Sequence, residues 1–119
     1  MAHVPFTEET IHQGEAHTIE TTVLDADDNP IDLTEAGAEC NFYLGRDWGT
    51  DPDITKTLSD GINGDANGAA TISLSAAETA AMNHTHRHPW TLWAKADGGT
   101  LGVAARGVLH VEGTVRASS

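Results

Sequence analysis

HTIETTVLDADDNPIDLTEAGAECNFYL, residues 17–44, reads as a strand, a polar turn, a short crossing segment and a second strand. Over residues 18–24, Ile19, Thr21 and Val23 share one side while Glu20 and Thr22 share the other. Period-two alternation with β-branched residues is the pattern of a half-buried strand. Asp25, Asp27, Asp28, Asn29 and Pro30 then stop it. Asp and Asn side chains bond nearby backbone in turns, and proline cannot donate to a ladder. Alternation resumes over residues 38–44, with Ala38, Cys40, Phe42 and Leu44 facing inward and Glu39, Asn41 and Tyr43 outward. Apolar-in, polar-out is the mark of an antiparallel sheet with one wet face.

Working outward, the rest of the chain repeats this logic. Residues 3–13 predict a first strand or docking arm ended by Gly14, with Phe6 and Ile11 as anchors on the domain or on a neighbour. Residues 45–53 form a polar loop containing Trp48, and residues 54–58 a short strand. Residues 59–68 (SDGINGDANG) read as one turn or a pair of turns. Ala70, Ile72 and Leu74 alternate with Thr71 and Ser73. Ser75 and Glu78 then have the spacing of a capping box, which predicts one or two helical turns closing one end of the fold. Over residues 90–96, Trp90, Leu92, Ala94 and Ala96 point inward, and Thr91, Trp93 and Lys95 outward. Asp97-Gly98-Gly99 is a hairpin-type turn. Residues 101–115 supply the last strand or two, with Leu109 and Val111 inward and Arg106, His110 and Glu112 outward. About seven short strands and one small helical turn predict an all-β, immunoglobulin-like antiparallel sandwich. The expected organisation is an N-terminal strand or arm over 1–14, the sandwich over 15–116 and a tail over 117–119.

The chain has 119 residues, enough for one domain with its own core. No apolar run approaches 18 residues, so no membrane-spanning helix is expected. MAHVPFTEE has neither the basic start nor the apolar centre of a secretory signal. Cys40, the only cysteine, is expected to be a small buried apolar side chain. Asp and Glu number 18 against 6 Lys and Arg, a formal net charge of -12. Phosphate backbones repel such a surface, so nucleic acid is an unfavourable partner. Three explanations compete: a merely acidic soluble protein, an acidic face for a basic partner, or a chain adapted to high salt. In molar salt, repulsion is screened within roughly 3 Å. Scattered acids, only two lysines (Lys56 and Lys95) and abundant Ala and Thr favour the third.

The ordered set of Gly14, the Asp-rich turn with Asn29-Pro30-Ile31-Asp32-Leu33-Thr34, the Gly-rich hairpin, residues 69–75, the Glu78-Thr79-Ala80-Ala81 turn, the aromatic strand and Asp97-Gly98-Gly99 resembles β-sandwich domains of tailed-virus virion proteins. The nearest type is the N-terminal domain of phage baseplate upper proteins, and the resemblance covers about residues 11–115. It implies a structural, non-catalytic role in the virion, in baseplate, tail or capsid surface. The chain would be made in the host cytoplasm and act by oligomerising and by docking on other virion proteins. With the acidity, it implies a tailed virus of a halophilic host.

Residues 83–89 hold His84, His86 and His88, whose spacing in an extended segment would project imidazoles to one side. They are candidate metal ligands at an inter-subunit cluster; the plainer reading is an exposed polar loop, and no cofactor is otherwise expected. Asn83-His84-Thr85 is also a glycosylation sequon. Asp25, Asp27 and Asn29, and likewise Asn63, Asp65 and Asn67, open like calcium loops but lack the twelfth-position carboxylate, so they read as turns. There is no Gly-x-Ser-x-Gly, phosphate loop or dinucleotide fingerprint, and catalysis is not expected. Tyr43, Trp48 and Trp93 fall on predicted exposed positions. With Phe6 and Ile11 they are the candidate interface residues. An alternative is that the aromatics stack on the sugar rings of a host surface glycan or receptor.

Overall fold

The strands form where side chains alternate, and their registers show which faces meet. The computed structural model describes residues 6–25, 27–45, 52–82 and 87–112. In chain order the elements are β1 (Phe6–His12), β2 (His17–Thr22), β3 (Glu39–Leu44), β4 (Ile54–Leu58), β5 (Gly61–Gly64), β6 (Ala69–Leu74), α1 (Ala76–Ala80), β7 (Arg87–Lys95) and β8 (Gly102–Glu112). The fold is all-β, as the alternation predicts. Among the described residues the strands number eight, and they form one hydrogen-bonded sheet in the order β1-β8-β7-β3-β4-β5-β6-β2.

The eighth strand is β5, in a stretch that reads as turns. Its Gly-Ile-Asn-Gly sequence has two of the residues most depleted in strands and only one large apolar side chain. That side chain decides the matter: Ile62 is 1% exposed and pairs with Ile72 on β6. Continuity between β4 and β5 rests on two parallel register pairs, Thr57↔Gly61 and Leu58↔Ile62. Parallel neighbours ordinarily need a crossover of a dozen or more residues. Here two residues suffice because the backbone folds sharply, with Ser59 at φ 67° and Gly61 at φ 97°. The contact is therefore a corner where the chain passes from one flank of the sheet to the other.

β1 and β2 lie at opposite edges of the sheet, yet only residues 13–16 join them. Four residues reach at most about 14 Å, so the sheet must roll until its two edges approach. The result is nearly a barrel, with no ladder closing β1 on β2. His17 on β2 meets the Glu9 carboxylate on β1 across this seam at 2.5 Å.

The interior collects the alternating residues of every strand. Ile19, Phe42, Leu44, Ile72, Leu74, Trp90, Leu92 and Leu109 are all at most 2% exposed. Phe42 and Trp90 pack at a centroid separation of 5.6 Å. Removing such side chains from water contributes about 1.5–3 kcal/mol each. Cys40 is fully buried among them, and burial pushes its thiol up to about 12, so it behaves as an apolar filler. α1 covers one end of the roll. The Ser75 hydroxyl accepts from the Glu78 N–H, and the Glu78 carboxylate accepts from the Ser75 N–H at 2.9 Å, which is the predicted capping box. Thr79 in α1 is completely buried; its hydroxyl accepts from the Gly14 N–H at 3.1 Å and donates to the Glu15 carbonyl at 2.8 Å. The helix thereby pins the β1–β2 corner.

Both Asp-rich segments are turns. Asp25 Oδ1 accepts from the N–H groups of Asp27 and Asn29, and Asp65 Oδ1 accepts from those of Asn67 and Ala69. Asp28 takes φ 64°, a conformation that Asp tolerates better than most residues.

Candidate interaction surface

The roll has two outer flanks of opposite character. On the first, β2, β6 and β5 turn outward Thr18, Glu20, Thr22, Ser73, Thr71, Ala69 and Asn63, in registers that set Thr18 beside Ser73 and Glu20 beside Thr71. The turns flanking it add Asp25, Asp27, Asp28, Asp32 and Asp65. Two hydrogen bonds from Thr34, the side-chain one stronger than the backbone one, hold the Asp32 carboxyl below the usual carboxylate range. Neither the stretch 17–38 nor the stretch 57–82 contains a Lys or Arg. This flank is small, polar and uniformly acidic, built to stay hydrated.

The second flank is the outer face of β1, β8, β7, β3 and β4. One register row runs Phe6–Arg106–Thr91–Tyr43–Thr55 across the five strands. The next runs Val103–Trp93–Asn41–Thr57. Phe6 is 48% exposed and lies under the Arg106 guanidinium, 5.7 Å from the ring centroid. Val103 is 37% exposed, and Leu101, two residues before it, 39%. These three are the exposed large hydrophobics among the described residues; Phe6 and Val103 lie in the two adjacent rows of this flank, and Leu101 directly precedes β8. Tyr43 and Trp93 are half-buried diagonal neighbours on adjacent strands.

Charges on this flank come in opposite pairs. Arg87 meets Glu8 at 3.3 Å and Lys95 meets Glu39 at 3.2 Å; the rings of His110 and His12 lie 3.8 Å from Glu8 and 3.6 Å from Glu112 and pair with them only when protonated. Exposed pairs of this sort contribute about 0–1 kcal/mol to stability. Their consequence is local neutrality on a chain whose net charge is -12.

The expected site residues therefore separate. Phe6, Tyr43 and Trp93 share this outer flank. Ile11 does not: it is 3% exposed and belongs to the core, so of its two expected roles it takes docking on its own domain. Phe6 and Ile11 are five residues apart on one strand, and odd spacing puts them on opposite faces. Trp48, His84, His86 and Asn83 lie outside the described residues. His88 lies within β7, 2% exposed, in the same inward series as Trp90, Leu92 and Ala94 and in register with Leu109. An exposed loop is therefore not the setting of this histidine. The signal was its parity with Trp90; Pro89, a residue rare inside sheets, hid the strand. Among the described residues, no group of three or more His, Cys, Asp or Glu is arranged to hold a metal ion.

A cavity of about 630 Å³ opens beside α1, with Leu44, Ile54 and Met82 as apolar wall and Asp53, Glu78 and His88 as ionisable lining. Glu78 is committed to structure there. Burial alone would raise its pKa, but the Lys56 ammonium at 2.8 Å and the Ser75 backbone N–H and hydroxyl hold it below its ordinary value.

No protein-family model matches the chain, and no curated protein is similar enough to count as a relative.

Proposed function

We propose that this chain is a non-enzymatic structural component of a tailed virus particle, in the baseplate, tail or capsid surface, acting by association with its own copies and by docking on other virion proteins. The observation that carries the docking role is the contrast between the two flanks. One is acidic, polar and without exposed large hydrophobics. The other gathers Phe6, Val103, Trp93 and Tyr43 on a charge-balanced ground. Aromatics and Arg are the residues enriched where proteins grip one another. The virion setting comes from the strand-and-turn order that resembles baseplate upper domains. The all-β architecture, one sheet in the order β1-β8-β7-β3-β4-β5-β6-β2, is compatible with that resemblance. The acidity fits a halophilic host. The test is an antibody against the chain applied to purified tailed particles from the source: decoration at a fixed place in the particle is expected, and particles free of the chain overturn the reading.

A second reading has its own observation. Tyr43 and Trp93 are diagonal neighbours on the sheet with Asn41, Thr91, Thr55 and Thr57 around them, a platform of the kind on which a sugar ring stacks. Glycan-array binding that disappears in Trp93→Ala supports a carbohydrate- or receptor-binding module; an empty array removes it.

A further inference from the structure

We propose that the outer face of β1, β8, β7, β3 and β4 is a self-association surface that meets the same face of a second copy about a two-fold axis. This rests on the docking role and the association with its own copies proposed above, and adds to them the surface and the symmetry.

Charge selects the face. The chain carries 6 basic and 18 acidic residues. Arg87, Lys95 and Arg106 point outward on this flank together with Glu8, Glu39 and Glu112, three of each sign. Among the other described residues, 13 are acidic and one, Lys56, is basic. At low salt, a copy approaching with the flank of β2, β6 and β5 brings anions against anions, at about 1 kcal/mol per close pair in water. On this face the net repulsion is absent.

Charge also selects the occupant. A two-fold interface uses one patch twice and must complement itself. A patch of alternating signs meets that demand, because each cation can find an anion of the other copy and the reverse. The acidic flank cannot. Nor does the neutral face carry the excess positive charge that would draw the acidic flank of a neighbour into a head-to-tail chain.

Area allows it. Five strands about 4.8 Å apart give a face roughly 24 Å wide, and nine residues at about 3.3 Å make β7 about 30 Å long. The other four strands have 7, 11, 6 and 5 residues, so the face measures roughly 600 Å², below but of the order of the ~800 Å² per partner of a standard specific interface. Phe6, Val103 and the half-buried Trp93 supply apolar and aromatic anchors within it.

The experiment is sedimentation of the full chain in molar potassium chloride and in low salt, with thermal melts confirming that each variant is folded. Wild type is expected at twice 12.5 kDa in molar salt. Phe6→Asp and Val103→Asp alter exposed side chains, and the melts show whether each variant folds. Each is expected to raise the dissociation constant at least about tenfold. Ser73→Asp, exposed on the opposite flank, should leave the dimer intact. A monomeric wild type at both salts, a dimer indifferent to both face variants, or one broken equally by Ser73→Asp overturns the proposal. The docking role falls or stands separately: a monomer found in purified particles removes the two-fold surface and leaves that role, while a dimer absent from particles does the reverse.

Discussion

Gly107 is the residue on which the edge of the sheet depends. A Cβ there would collide with the Thr7 carbonyl oxygen on β1 and stand 2.7 Å from the Trp90 ring on β7. Both are fixed, one being backbone and the other core. Gly107→Ala should therefore force β1 from β8 or tilt Trp90, costing about 1–3 kcal/mol by overpacking. Gly102→Ala, on the same strand with nothing within 4 Å of the added atom, should be neutral or slightly stabilising. Urea midpoints of the two variants against wild type check the contrast; equal midpoints would mean that β1 is not held as closely as described. No sequence pattern singles out Gly107, because the atoms it must avoid come from residues 17 and 100 positions away. Alternation, by contrast, places Cys40, Phe42 and Leu44 inward and Tyr43 and Trp93 outward, as found.

Among the elements, α1 was the most legible and β5 the least. A capping box is a local code: both donors and both acceptors lie within four residues, so Ser75 and Glu78 announce it without tertiary help. β5 is a strand only because Ile72 and the sheet corner make it one. Glu78 also binds Lys56 across 22 positions, which gives α1 a dependence on pH. Its carboxyl is held below the ordinary 4.5, so the stabilisation is fully present above about pH 4.5 and fades as pH falls through the lower folded value. Glu78→Gln should cost about 1 kcal/mol near neutrality, with the two melting curves converging in acid. A gap between wild type and variant that stays constant down to strongly acid pH would show that the Lys56 and Ser75 contacts do not discriminate the ionised form.

For the molecule as a whole, charge is the feature most plainly written in the sequence, but its distribution is not. Counting residues gives -12; only the registers show Arg87, Lys95 and Arg106 turned to one flank with matching acids. The unshielded flank should make stability rise with salt. Urea midpoints are expected to climb from low to molar potassium chloride as repulsion among Glu20, Asp25, Asp27, Asp28 and Asp65 is screened. Equal midpoints would remove the halophilic reading while leaving the fold untouched. The rolled form of the sheet was likewise beyond the sequence, since it follows from two edges tied by residues 13–16 and not from any run of residue types.

The parallel ladder between β1 and β8 has a mechanical meaning. Phe6 stands beside Arg106 at one end and His12 beside Glu112 at the other. A force that draws the start of β1 away from the finish of β8 pulls along the ladder, so its seven register positions bear load together and slide in shear instead of unzipping singly. Stretching single molecules from positions 6 and 112 should give a high rupture force. Pulling from positions 6 and 106, at the same end of the ladder, should peel β1 away at a much lower one. A body strung between two neighbours in this way resists tension best along the line of its own first and last strands.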